Sequence, residues 1–264
     1  MDYLACVDGE VTPAAEATIP ATDEGLLRGD GVFEVMRLYG GRPFAYDDHI
    51  ARMRRSAQNL RLELDTEALG ADVEALLART GEVDALLRVL ATRGGHRLAL
   101  VEPLPQLPPT LRLAAVTYAP TRVLDGIKSL SYAANMLAGR LARERGFDEA
   151  LLITPHGRVL EAPTSSFFWV RGGVLRTPPL DEHILESITR ARVMQAVEVR
   201  EEPCPLDDLR HADEAFLAST VREVHPVSAV EDIELRAEGP VTQEAARRTR
   251  ALIEAELGAA PAPR

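Results

Sequence analysis

Apolar positions along this chain recur with two different periods, and the changeovers mark its elements. In "YLACVDGEVTP" the alternation on either side of Asp8-Gly9 predicts a short hairpin. "GVFEVMRLYGGRPFAY" predicts two strands about Gly40-Gly41. The period then lengthens: "DDHIARMRRSAQNLRL" sets Ile50, Met53, Ala57 and Leu60 on one helical face, with Asp47 or Asp48 as the cap. A second helix follows in "DTEALGADVEALLARTG", where Leu69, Val73, Leu76 and Thr80 share a face and Gly81 closes the end. "ALLRVLAT" and "TLRLAAVTY" are strand-like, separated by the proline-rich "EPLPQLPP".

Beyond the connector "APTRVLDGI", the segment around Lys128 leads into a helix with Leu130, Ala134, Leu137 and Leu141 along one face and Gly146 as its stop. "DEALLITPHGRVLEAPTSSFFWVRGGVLRTP" predicts four strands, with turns at His156-Gly157 and Gly172-Gly173. "SITRARVMQAVEV" is a helix entered through Ser187 and Thr189, "DEAFLAST" a strand and "VTQEAARRTRALIEAELG" a closing helix. The pattern predicts two α/β or α+β lobes: residues 1–118, a connector over 119–126, and residues 127–264.

With 264 residues and 46% hydrophobic content, the chain can bury a full core. A net charge of −11 and a pI near 5.1 argue against nucleic acid or an anionic membrane as partner. Cys6 and Cys204 supply neither a disulfide framework nor metal-ligand spacing, so a reduced compartment and no metal are expected. No apolar run approaches the roughly 18 residues of a membrane span, and "MDYLACVDGE" lacks the basic-then-apolar order of a secretory signal. A cytoplasmic location is the expectation.

One compositional fact bears on chemistry. The chain has 30 Lys and Arg residues, and Lys128 is the only lysine. A guanidinium stays charged, whereas a desolvated lysine amine loses its proton and attacks a carbonyl carbon. Placed just ahead of a helix, Lys128 would feel the positive end of the macrodipole, which favours the neutral amine.

Other segments offer anion and cation partners. "ESITRAR" puts Ile188 and Thr189 at a helix N-terminus, where backbone N–H groups bind anions or simply receive a Ser/Thr cap. Ser219 and Thr220 end the strand of "LASTVRE". Arg52 lies beside the apolar face of its helix, pointing inward or to solvent. Glu161 leaves a strand just before "APTSS", as a solvated edge charge or as an acceptor for a protonated ring nitrogen. Arg88 sits in the apolar strand "ALLRVLAT", where an unpaired charge is costly unless it faces a cavity or pairs with a neighbouring acid.

In order and spacing, "GIKSLSYAANMLAGRLARERGFDEALLITPHGRVLEAPTSSFFWV", "ESITR" and "FLASTVREVHPV" resemble the class IV aminotransferases. These are fold type IV of the pyridoxal-phosphate enzymes and include branched-chain aminotransferases, D-amino-acid transaminases and aminodeoxychorismate lyases. "RGDGVFEVMRLYGGRPFAYDDHIARMRRSA" is similar to the first lobe of that family. The resemblance implies an α/β, two-lobed fold, with a smaller N-terminal α/β lobe and a larger C-terminal α+β lobe. It also implies a homodimer, pyridoxal 5'-phosphate as cofactor, and amino-group exchange between an amino acid or related amine and an α-keto acid. An aminodeoxychorismate lyase forming 4-aminobenzoate and pyruvate, and a non-catalytic pyridoxal-phosphate-binding protein, are the alternatives.

Position by position, the resemblance makes Lys128 the Schiff-base lysine and proton shuttle, and Glu161 the acid that keeps the pyridine nitrogen protonated. Arg52, Ile188, Thr189 and Thr220 match the phosphate cup, with Ser219 adjacent. Arg122 and Tyr132 fall near the family's partners of the cofactor phenolic oxygen. For the substrate carboxylate, Arg88 leads and Arg222 follows, with Arg28 at the head of the first-lobe segment as a third candidate. The sequence departs from the family at Ala162 and Ser166, at Ser187, and in the short "RGGHRLAL" segment where relatives carry a longer loop.

Overall fold

The computed structural model of the chain describes residues 3–259. Those residues form two compact units, one of which runs to Pro105 and also takes in Gly126–Tyr132 and the chain from Ala255. Gln106–Asp125 and Ala133–Glu254 make the other.

The first unit is built on an antiparallel sheet of β1 (Leu4–Val7), β2 (Glu10–Pro13), β3 (Gly31–Tyr39), β4 (Arg42–Pro43), β5 (Ala85–Thr92) and β6 (Arg97–Glu102), in the order β2-β1-β6-β5-β3-β4. Its helices are α1 (Glu24–Arg28), α2 (Tyr46–Leu60) and α3 (Thr66–Thr80). Strand alternation sends Val32, Met36 and Leu38 of β3 into one core with Ile50, Met53 and Ala57 of α2 and Leu69, Val73 and Leu76 of α3. The hairpin turn, both helices and the Gly81 stop lie where the pattern puts them. The α2 cap does not: Ala45 takes that place in a left-handed conformation (φ 53°), and Asp47 and Asp48 fall inside the first turn. There they oppose the positive helix end without capping it.

Lys128 also lies elsewhere than expected. The helix after it, α4 (Ala133–Glu144), starts five residues on, so the macrodipole acts on other amides. Residues 128–130 instead run extended beside the start of β3. Phe33 N donates to Lys128 O at 3.1 Å, Leu130 N donates to Gly31 O at 2.9 Å, and Val32 bridges Ser129. The cause is an open strand edge. β4 pairs only with Leu38 and Tyr39, so the other end of β3 has backbone groups that need partners.

The second unit holds a mixed sheet. Its strands are β7 (Leu111–Thr117), β8 (Glu149–Ile153), β9 (Arg158–Val159), β10 (Ser166–Arg171), β11 (Val174–Thr177), β12 (Arg200–Glu201), β13 (Cys204–Pro205), β14 (Glu214–Ser219), β15 (Glu223–Val230) and β16 (Ile233–Glu234). The order is β12-β11-β10-β14-β15-β7-β8-β9-β13, with β16 on β15. β7 pairs in parallel with both β8 and β15. That moves "TLRLAAVTY" out of the first lobe and corrects the boundary expected at 118–119, because seven residues of ladder bind β7 here. The lysine segment, expected in the second lobe, belongs to the first unit.

Two further helices are α5 (Ile188–Ala196) and α6 (Pro240–Ala259). Both sheet faces are covered, which is why "SFFWV" reads as a continuous apolar run: Phe167 and Trp169 pack on one side, Phe168 and Val170 on the other. α4 packs through Ala138 and Ala142. The face that carries Leu137 and Leu141 is turned to solvent, at 48% and 39% exposure. Small residues permit close approach to the sheet, so the larger leucines are left outside. Among the described residues no helix is long and apolar enough to cross a membrane.

Candidate active site

In the first unit the Lys128 backbone is fixed by the β3 bonds and by its N–H, which donates to Ser56 Oγ of α2 at 3.1 Å. Its Nζ lies 4.5 Å from the centroid of the Phe33 ring and 5.7 Å from that of Tyr132. Phe33 and Tyr132 meet edge-to-face at 5.3 Å. Arg88 reaches the same Phe33 ring, with Cζ at 5.7 Å from its centroid, while its Nε donates to Glu102 Oε2 at 2.7 Å. Phe33 therefore gathers the lysine, the tyrosine and the arginine on the sheet face opposite α2 and α3. Arg28 ends α1, pairs with Glu24 at 2.9 Å and is largely exposed.

Arg52 points inward. Its Nε donates to Glu34 Oε1 at 2.7 Å and its Nη2 to Glu34 Oε2 at 2.6 Å. His49 Nδ1 lies 2.8 Å from Glu34 Oε2. Glu34 and His49 are fully buried. Burial alone would raise the Glu34 pKa, but the arginine fork and the histidine outweigh it and hold the carboxyl down at about 2. Burial, together with the Arg52 and Lys128 charges, lowers the His49 pKa against the pull of Glu34, so the neutral ring donates Nδ1–H to the carboxylate. Arg52 is thus held rigid and in good part neutralised. Glu34 and His49 were missed from the sequence, although both occupy inward positions of periodic segments.

In the second unit, Ser187 caps α5 by accepting the Arg190 N–H at 3.2 Å. The amides of Ile188 and Thr189, in the first turn, have no acceptor within the helix. Thr189 is buried. Glu161 is half-buried, and its Oε1 accepts the Leu185 N–H at 3.1 Å. Its charge, after burial, raises the pKa of the Tyr118 hydroxyl. Ser219 ends β14, and its Oγ accepts the Arg222 N–H at 3.2 Å, so Thr220 lies within a tight turn.

Two further arginines are engaged within this unit. Arg222 does not extend to an open mouth: its Nη2 donates to Glu149 Oε2 at 2.8 Å and its Nη1 to Thr164 and Ser165 hydroxyls. A carboxylate inside the unit has captured it. Arg122 is 71% exposed and contacts His183, which pairs with Asp125 at 2.7 Å.

The donors present suit a phosphate-bearing aldehyde. The first unit supplies an amine, and the second a helix start whose first amides have no helical acceptor, hydroxyls at a strand end and a half-buried carboxylate. Residues 31–230 match the sequence model of the amino-transferase class IV family. The chain belongs to that family.

Curated relatives bear this out. The chain is 35% identical over 251 residues to a putative branched-chain-amino-acid aminotransferase of Methanocaldococcus jannaschii, covering 85% of this chain and 87% of the relative. It is 32% identical to a D-alanine aminotransferase of Bacillus licheniformis, covering 89% and 92%. The fold matches the crystal structure of a branched-chain aminotransferase from Thermoproteus uzoniensis with norvaline. There the TM-score is 0.87 at 29% identity, over 96% of this chain and 95% of the other. Solved structural neighbours include forms holding pyridoxal phosphate or pyridoxamine phosphate. This class IV aminotransferase is an enzyme that uses pyridoxal 5'-phosphate, as the sequence resemblance implied.

Proposed function

We propose that the enzyme moves the amino group of an α-amino acid to an α-keto acid, with Lys128 as its catalytic residue. The observation that carries this is the chain's only lysine, pinned by backbone bonds at both sides and set 4.5 Å from the Phe33 ring. When bound, pyridoxal phosphate supplies an electrophilic aldehyde and an electron sink. Lys128 is the amine that bonds that aldehyde and afterwards carries the substrate Cα proton. Glu161 keeps the ring nitrogen protonated. Within the second unit the Ile188 and Thr189 amides and the Ser219–Thr220 hydroxyls take the phosphate, and within the first Tyr132 lies beside the lysine to orient it.

Arg88 is the first candidate for the substrate carboxylate. Glu102 occupies only its Nε, which leaves the two Nη groups to form a bidentate pair. The test is a half-reaction screen in which D- and L-amino acids and an (R)-amine are each added to holoenzyme while the cofactor absorbance is followed. Spectral conversion by one enantiomer of an α-amino acid is expected. A spectrum that no amino donor shifts would refute the reading.

The acting form is a homodimer, in the cytoplasm. Support comes from leucines that a monomer leaves in water: Leu137 and Leu141 on α4, and Leu26 and Leu27 on α1, at 65% and 59% exposure. Leu137→Glu/Leu141→Glu should convert the dimer to monomer in light scattering at micromolar concentration.

A further inference from the structure

We propose that Arg222 is a positioning residue, which fixes the turn bearing Thr220 against the loop that follows Glu161. This rests on the reading above that Thr220 faces the cofactor phosphate and Glu161 its ring nitrogen. The guanidinium ties three segments of the second unit together. Its Nη1 donates to Thr164 Oγ1 at 3.0 Å and Ser165 Oγ at 2.8 Å, in the turn three and four residues beyond Glu161. Its Nη2 donates to Glu149 Oε2 at 2.8 Å, at the start of β8. Its own backbone N–H closes the Ser219–Arg222 turn on Ser219 Oγ at 3.2 Å.

Each anchor is itself held. The Ala162–Ser165 turn is closed by two backbone bonds, at 2.8 and 3.3 Å, and Asn135 Nδ2 of α4 donates to Pro163 O at 3.1 Å. Glu149 Oε1 accepts the Ala150 N–H at 3.1 Å and lies under α4 at Gly139, where an added Cβ would come within 3.2 Å of that oxygen. The side chains of Arg222 and Glu149 are 12% and 9% exposed.

A pair this buried is a poor stabiliser. Desolvating both charges offsets most of their attraction, and Arg222 Nε is buried without a partner. An apolar pair would hold the unit together as well, but only a forked donor reaches a carboxylate and two hydroxyls at once. What the arginine contributes is therefore geometry. It sets the distance between the phosphate turn and the loop behind the ring-nitrogen acid, and so the seat of the cofactor.

The experiment compares wild type, Arg222→Met, Glu149→Met/Arg222→Met and Thr220→Val. Melting temperature is read by circular dichroism, and Kd is measured for pyridoxal phosphate and for pyridoxal, which lacks the phosphate. Arg222→Met alone strands the Glu149 charge and should melt early. The double variant should melt within a few degrees of wild type, yet bind pyridoxal phosphate at least tenfold more weakly, with a smaller loss for pyridoxal. Recovery of both melting temperature and Kd in the double variant would reduce Arg222 to a structural role and overturn the proposal. A wild-type Kd in Thr220→Val would instead remove the phosphate reading on which the proposal stands.

Discussion

Replacing Glu34 by Gln tests the buried network behind Arg52. The carboxylate accepts both arms of the arginine fork and the His49 ring, at 2.6 to 2.8 Å, in a place with no exposure. Gln keeps the shape but removes the charge and turns one acceptor into a donor facing a donor. The Glu34 pKa is about 2 in the folded chain against an ordinary 4.5. That difference is worth on the order of 3 kcal/mol at neutral pH. A depressed folded pKa gives stability that is fully present above about 4.5 and is lost as pH falls from there toward 2. The amide of the Glu34→Gln variant does not titrate, so its deficit of about 3 kcal/mol at pH 7 should shrink to about 1 kcal/mol at pH 3. Urea unfolding followed by far-UV circular dichroism reads this, since the chain's single Trp169 lies in the second unit. A pH 7 deficit below about 1 kcal/mol, or one that persists unchanged at pH 3, would refute the account.

Lys128→Ala and Lys128→Arg should both abolish turnover, because a guanidinium cannot bond and release an aldehyde; a few per cent of activity in the Arg variant would exclude Lys128. Glu161→Gln should retain cofactor but slow Cα proton removal by roughly 100-fold or more in stopped-flow half-reactions, and unchanged kinetics would place Glu161 at a solvated edge. Arg88→Met should raise KM for amino acids about tenfold or more and leave amines without a carboxylate little affected. Equal losses on both would make Arg88 a partner of Glu102 alone.

Some of the site was legible for reasons that concern single residues. A lone lysine in an arginine-only background stands out whatever the fold. The start of α5 was readable because Ser187 as cap and the amides after it are local chemistry. Glu34 and His49 were legible in principle: Val32, Met36 and Leu38 mark the inward phase of β3, and Glu34 falls in it. A carboxylate there demands a buried cation, and Arg52 is the nearest on the facing helix. Arg222 was not legible. Its partner Glu149 is 73 residues away and joins it only through the strand order.

By itself, the sequence determined most of the helices and strands and the turns at Asp8-Gly9 and Gly81, and it singled out Lys128 as the one lysine, because periodicity, turn chemistry and side-chain type are local. Tertiary structure decided three things. It gave β7 to the second sheet, it turned the leucines of α4 outward, and it placed Lys128 along β3, away from the start of the helix. Each depends on which distant backbone edge or small-residue face offers a partner. A strand edge left open at Gly31–Phe33 and a helix approaching through Ala138 and Ala142 are properties of assembled elements, which no window of sequence contains.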